Sequence, residues 1–287
     1  MEFQQSVNNS LPIERTYSIT ADNAFAQQKY IEKKSRGTAP TPTEEKAIAY
    51  VLSKIKPTDT ELTPIIINAK DFCSICGYNE RYYYSNAKYI LDGLLACHVW
   101  INENGKYVGR PYFGEVTFVP GSPLFTFRIN PFLKPWFMQL KGGFFQFTLI
   151  YILAMKTASG IRLYKLLKSL YFKSRETIPA KITLTVESLK EYLDCVDQYD
   201  RFRDFRRRVI DPALLDINTY SDLEVKLETV RSGRSITTLV FHTVDLTKED
   251  MPEDRAILAE RIENVYKKID PNQLVIDGIF DGIGDYP

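Results

Sequence analysis

The sequence predicts an α+β protein in which one small domain type is used twice. Three observations predict it. Residues 200–218, DRFRDFRRRVIDPALLDIN, place Phe202, Phe205 and Val209 within about a quarter-turn of one another at about 100° per residue, the buried stripe of an amphipathic helix. Residues 222–244 alternate as two strands joined at Arg231-Ser232-Gly233-Arg234, where the glycine supplies a permissive turn dihedral. The same order of elements occurs earlier in the chain. There, IIINAKDFCSICGY lines up with ITLTVESLKEYLDC, and RYYYSNAKYILDGLLACHVWI with RFRDFRRRVIDPALLDINTYSDLEV. Each copy reads helix, strand, helix, helix, hairpin. The expected architecture is therefore two tandem winged-helix domains, each a helix-turn-helix closed by a β-hairpin wing.

Residues 1–20 lack periodicity and are expected to be disordered. A first domain is expected over 21–150. It opens with a short helix started by Asp22 or Asn23, followed by a loop with Gly37, Pro40 and Pro42. Glu44 and Glu45 favour a helix start, and Thr43 with Lys46 forms no capping box. EEKAIAYVLSKIK then carries Ile48, Val51, Leu52 and Ile55 at core spacing up to Pro57. A strand over 64–68, a helix stopped by Gly77 and a helix over 81–97 follow. Next come VWI, the hairpin dipeptide Asn104-Gly105, and strands over 107–113, 115–119 and 124–129. The apolar run 144–155 is broken by Gln146 and Thr148 and is far shorter than the roughly 18–20 residues of a membrane span; it reads as a core helix.

The second domain is expected over 151–245: a helix over 159–172, the strand KITLTV, a helix that Glu187 or Ser188 opens, the arginine helix and its hairpin. Pro212 has no N–H and is expected to bend the arginine helix after Asp211, with Leu214 and Ile217 on a packing half. The aromatic segment between the copies predicts that the two domains pack together rather than float on a linker. Residues 246–287 form an acidic tail with one helix over 252–269.

Charge narrows the function. The net charge of +1 hides a division: 16 Lys+Arg against 13 Asp+Glu over 1–155, 16 against 12 over 156–243, and 5 against 11 over 244–287. Two mildly basic modules thus precede an acidic tail, and affinity for a polyanion follows local charge. Arg203 and Arg207 project from the side opposite the buried stripe, one turn apart, and are the candidates for base contact, since an arginine fork matches guanine O6 and N7 in the major groove. Arg201, Arg206 and Arg208 flank them as candidate phosphate contacts, and Arg231 and Arg234 extend the set to the wing. Asp204 and Asp211 are expected to pair with neighbouring arginines. In the first copy Arg81 and Lys88 offer weak backbone contact, while its tyrosines suit a core or a dimer interface equally.

Cys73, Cys76, Cys97 and Cys195 follow an N-terminus with no signal-peptide pattern, which predicts reduced thiols in a cytoplasmic protein. Cys73-x-x-Cys76 with Cys97-His98 has the outline of a zinc site. The core-like Phe72 and Ile75 favour buried thiols instead, and no metal or cofactor is expected.

The chain resembles the initiator proteins of iteron-bearing, theta-replicating bacterial plasmids. The resemblance covers residues 21–244 and rests on ADNAFAQQKY, AIAYVLSKI and INPFLKPWFMQLKGGFFQF in the first half. In the second half it rests on SGIRLYKLLKS, FRRRVIDPALLDIN and SGRSITTLVF, in that order. It implies that the second winged helix reads tandem double-stranded DNA repeats at a plasmid origin, and that the first contacts adjacent backbone and mediates dimerisation. It also implies a monomer–dimer equilibrium, autoregulation of the initiator's own promoter, opening of an AT-rich segment and recruitment of a host initiator and helicase. Ala158-Ser159-Gly160 departs from a Tyr-Ser common in the family, and the acidic tail is longer than usual.

Two rivals stand beside this reading. A winged-helix transcriptional repressor would use the same arginine helix. A rolling-circle nicking endonuclease would use one of 18 tyrosines, but the chain has no His-x-His pair for its metal and no phosphate loop for a nucleotide.

Overall fold

The structure, a computed structural model, describes residues 18–27, 39–56, 58–78, 83–103, 105–140, 143–174, 176–248 and 252–268. Among the described residues the first element is strand β1 (Ser18–Asp22), which corrects the expectation of disorder for residues 18–20. β1 is antiparallel to β7 (Phe144–Thr148), with Ser18 opposite Thr148. The run expected as one core helix over 144–155 is thus a strand followed by a helix, α6 (Leu149–Ala154). Its first five residues alternate, with Phe145 and Phe147 inward and Phe144 and Gln146 outward, a period only a strand satisfies. α6 is buried on all sides.

Helix α1 (Asn23–Ala26) starts where expected. Helix α2 (Pro42–Leu52) begins two residues before the expected start and ends well short of Pro57. A capping box exists two residues upstream of the Thr43/Lys46 pair, at Thr41 and Glu44. The Thr41 hydroxyl accepts from Glu44 N at 3.3 Å and Glu44 Oε2 accepts from Thr41 N at 2.8 Å, with Pro42 at the first helical position. Strand β2 (Ile65–Asn68) leads into α3 (Ala69–Cys76), which Asn68 caps and which Gly77 ends at φ 83°. Helix α4 (Tyr83–Ala96) is followed by the hairpin of β3 (His98–Glu103) and β4 (Lys106–Pro111), with Gly105 at φ 82°.

That hairpin is an insertion and not the wing. β3 and β4 pair only with each other among the described strands, whereas β5 (Phe113–Phe118) and β6 (Leu124–Ile129) join β2 in a sheet of order β2-β6-β5. The second copy has the same sheet: β8 (Ala180–Thr185), β9 (Leu223–Ser232) and β10 (Ser235–Asp245) in the order β8-β10-β9. The counterpart of DLEV in β9 is therefore β5, which corrects its alignment with HVWI. The hairpin signal of Asn104-Gly105 is local, while partnership with the first strand of the domain is settled by tertiary packing.

Between the copies, after α5 (Lys134–Phe137), β7 and α6, helix α7 (Ala158–Ser174) lies against elements of both domains. One hydrophobic cluster accordingly runs through both, from Ile19 and Phe72 to Phe205 and Phe241. Helix α8 (Val186–Tyr192) is opened by Thr185, whose hydroxyl accepts from Ser188 N, and not by Glu187 or Ser188. The arginine segment comprises α9 (Phe202–Phe205), a π turn (Arg206–Ile210) and α10 (Asp211–Tyr220). The tail helix α11 (Pro252–Lys268) buries Leu258, Ile262 and Val265. No helix among the described residues is long and apolar enough to cross a membrane.

Candidate nucleic-acid interface

Phe205 is fully buried and Val209 nearly so, with Phe202 packed beside them, so the stripe read from the sequence fixes the segment to the core. The Phe205 ring stacks on Tyr199 at 6.3 Å and meets the edge of Phe202 at 6.4 Å. Lys190 Nζ lies 5.6 Å from the Phe205 centroid and donates to Tyr199 O at 3.0 Å, holding the turn that enters α9. On the other side Arg201, Arg203, Arg206, Arg207 and Arg208 are all exposed. Arg207 pairs with Asp204 at 3.4 Å and Arg206 with Asp211 at 3.2 Å, the pairing expected of those two aspartates. Among the described residues no carboxylate pairs with Arg201, Arg203 or Arg208.

The expected bend after Asp211 is instead a widened turn before it. Asp211 N–H reaches Arg206 O, five residues back, and Pro212 has no N–H to offer Arg208 O. Leu214 and Ile217 pack against the core as anticipated. The wing carries Arg231 and Arg234 exposed at its tip, where Ser232 pairs with Ser235 and Gly233 turns the chain at φ 61°. Wing and helix are joined by Asn218, which donates to Val225 O and accepts from Val225 N, both at 2.9 Å. In the first copy Lys88 is exposed on α4 beside Asn86 and Tyr89, and Arg81 lies outside the described residues.

Three buried polar groups that position this face were not singled out in the sequence. Glu45 of α2 accepts from Arg162 Nε at 2.9 Å and from Lys165 Nζ at 2.7 Å, both on α7. Burial pushes the Glu45 carboxyl up, but Lys165 and Arg162 together outweigh it and hold it below the ordinary carboxylate range. Lys168 of α7 bridges Asp222 at 2.6 Å and Asp245 at 2.9 Å, the residues at the root of the two wing strands. Burial disfavours its charge, yet the two carboxylates raise its pKa above the ordinary lysine range. Asp216 of α10 accepts from Lys156 N, Thr157 N and Thr157 Oγ1 at 3.0, 2.8 and 2.6 Å, fixing the entry to α7, which Thr157 caps by accepting from Gly160 N at 3.0 Å. Gly160 permits this approach, since a Cβ there would stand 2.8 Å from Asp216 Oδ2. Patterning shows which face is buried, but not which charges meet inside it.

Cys73, Cys76, Cys97 and Cys195 are buried, with the Cys97 thiol donating to Gly93 O at 3.2 Å. Burial pushes Cys195 up to about 12. No group of three or more metal-binding side chains occurs among the described residues. What the face offers is an exposed array of guanidinium donors on one helical segment with two more on an adjacent hairpin, suited to a large anionic surface.

Comparison with known proteins agrees with this geometry. Residues 19–168 match the family described as "Initiator Replication protein, WH1", and residues 185–243 match "Initiator Rep protein, WH2". A curated Escherichia coli protein called "Replication initiation protein" is 30% identical over 118 residues. The matched segment is 41% of this chain and 35% of that relative, so it spans about a third of the relative's length. A solved structure described as "Crystal structure of Pi initiator protein in complex with iteron DNA" aligns with a TM-score of 0.63 at 19% identity. That alignment covers 80% of this chain and 98% of the other, and at this identity it is a likeness of fold. With both winged-helix domains matched in order, the chain belongs to the initiator replication protein family.

Proposed function

We propose that the protein starts plasmid replication by binding tandem duplex repeats at an origin through its second winged helix. The observation that carries the reading is the exposed arginine face of residues 201–208 beside the arginine-tipped wing. Arg203 and Arg207 contact bases; Arg201, Arg206, Arg208, Arg231 and Arg234 contact phosphates. The first domain, with Lys88 and Arg81 on or before α4, adds weaker backbone contact and supports self-association. The protein acts by binding and not by catalysis, in the bacterial cytoplasm. Opening of the origin, recruitment of a host initiator and helicase, and repression of its own promoter follow from the family resemblance. The Pi initiator, of like fold, is described in complex with iteron DNA, which supports the choice of ligand.

The test is a competition binding assay with a duplex selected by the protein from a random-sequence pool, against a scrambled duplex. Arg203→Ala or Arg207→Ala should lower the preference for the selected duplex by about 5- to 150-fold, the scale of one bidentate base contact, while binding to scrambled duplex persists. Unchanged discrimination in both variants would remove these residues from the reading face. A flat dependence of affinity on salt would refute DNA binding through this face altogether.

A further inference from the structure

The π turn at Arg206–Ile210 has a cause and an effect that can both be named. On an uninterrupted helix from Arg206 onward, Ile210, Ala213 and Ile217 would fall about 40°, −20° and 20° from Arg206, on its own side. Those three residues are fully buried, so a regular helix would aim Arg206 into the buried arc. Instead the Arg206 side chain is 48% exposed. The wide turn accounts for this. Pro212 lacks the amide that Arg208 O would receive, and its ring excludes the carbonyl four residues back; the ladder therefore skips a step and Asp211 N–H bonds Arg206 O. The side chains report the same skip. Arg206 Nε and Asp211 Oδ1 meet at 3.2 Å, although residues five apart on a regular helix point about 140° away from each other.

We infer that Pro212 is a positioning residue for DNA binding: through the π turn it turns Arg206 out of the core arc and onto the arginine face. Pro212 itself is half-buried and acts through Arg206. The inference rests on the proposed DNA reading and deepens it, because it assigns the shape of that face to one residue and not to the arginine count.

A double-mutant cycle tests it. Pro212→Ala restores the amide and lets the ladder close in regular α-helical steps, drawing Arg206 back toward the core arc. In gel-shift titrations over a salt series on the selected duplex, Arg206→Ala and Pro212→Ala should each lower the slope of log K against log salt by about 0.9, one phosphate contact. Each should also weaken binding by about tenfold at the lowest salt. Arg206→Ala/Pro212→Ala should lose no more than either single variant, because both remove the same contact. Additive losses, or a Pro212→Ala slope equal to wild type, would overturn the inference while leaving the DNA reading intact. A flat wild-type slope would instead sink the DNA reading. Pro212→Ser, which restores the same amide, is run in parallel with circular dichroism of every variant. Failure of both proline variants to fold would also overturn the inference, by making the proline a requirement of the fold.

Discussion

Replacing Glu45 by glutamine should destabilise the protein more than any other single-atom exchange among its buried polar groups. Glu45 is 1% exposed and its two oxygens serve different cations, Arg162 at 2.9 Å and Lys165 at 2.7 Å. Glutamine keeps the shape and one neutral acceptor but strands two guanidinium or ammonium charges in the interior. Each charge-assisted hydrogen bond is worth about 1.5–3 kcal/mol, and breaking a buried pair by neutralising one partner costs about 3–5 kcal/mol. We therefore expect about 3–5 kcal/mol, a large part of the ~5–15 kcal/mol typical of a folded domain. Denaturant unfolding followed by far-UV circular dichroism measures it. Because the Glu45 carboxyl is held below its ordinary value, the folded state binds its proton less tightly than the unfolded chain does. Its contribution is complete above about pH 5 and is lost as pH falls through the unfolded and then the lower folded value, so wild type and variant should converge at acid pH. Adding Lys165→Met should recover part of the loss by removing one stranded cation. A Glu45→Gln variant within about 1 kcal/mol of wild type at pH 7 would refute the reasoning.

Two further predictions concern the supports of the arginine face. Gly160→Ala places a methyl 2.8 Å from Asp216 Oδ2 and 2.9 Å from Asp216 Cβ, forcing α7 and α10 apart at a cost of about 1–3 kcal/mol, read as a lowered unfolding midpoint. Thermal stability equal to wild type would show that the two helices separate freely. Arg261 on α11 donates to Ser221 O at 3.1 Å and Leu223 O at 2.6 Å and pairs with Glu224, clasping the root of the wing. Arg261→Met should leave those buried carbonyls short of a donor, costing about 1–3 kcal/mol. Hydrogen exchange at Leu223–Val225 should accelerate, and unchanged protection there would exclude the clasp.

The arginine segment shows how far local sequence carries and where it stops. Phe202, Phe205 and Val209 were legible as a buried stripe because helix period alone fixes their common side. The same wheel places Arg206 among buried positions, and this conflict between residue type and position was the available sign of an irregular turn. Residues 144–148 failed differently. A short apolar run reads equally as helix or strand, and pairing with Ser18–Asp22, more than a hundred residues away, decides it.

The two-copy α+β plan, the basic helix with its arginine-tipped hairpin, and the asymmetry that concentrates charge in the second copy are all written in local sequence. These follow from periodicity, turn chemistry and composition, all of them properties of neighbours along the chain. Long-range packing, by contrast, places β5 and not β3 in the sheet of the first domain, beside β6. It alone joined Glu45 to Arg162 and Lys165, Lys168 to Asp222 and Asp245, and Asp216 to the start of α7. Those contacts join residues 54 to 120 positions apart. Their energy depends on burial and on distances of 2.6–3.0 Å, which no local pattern encodes.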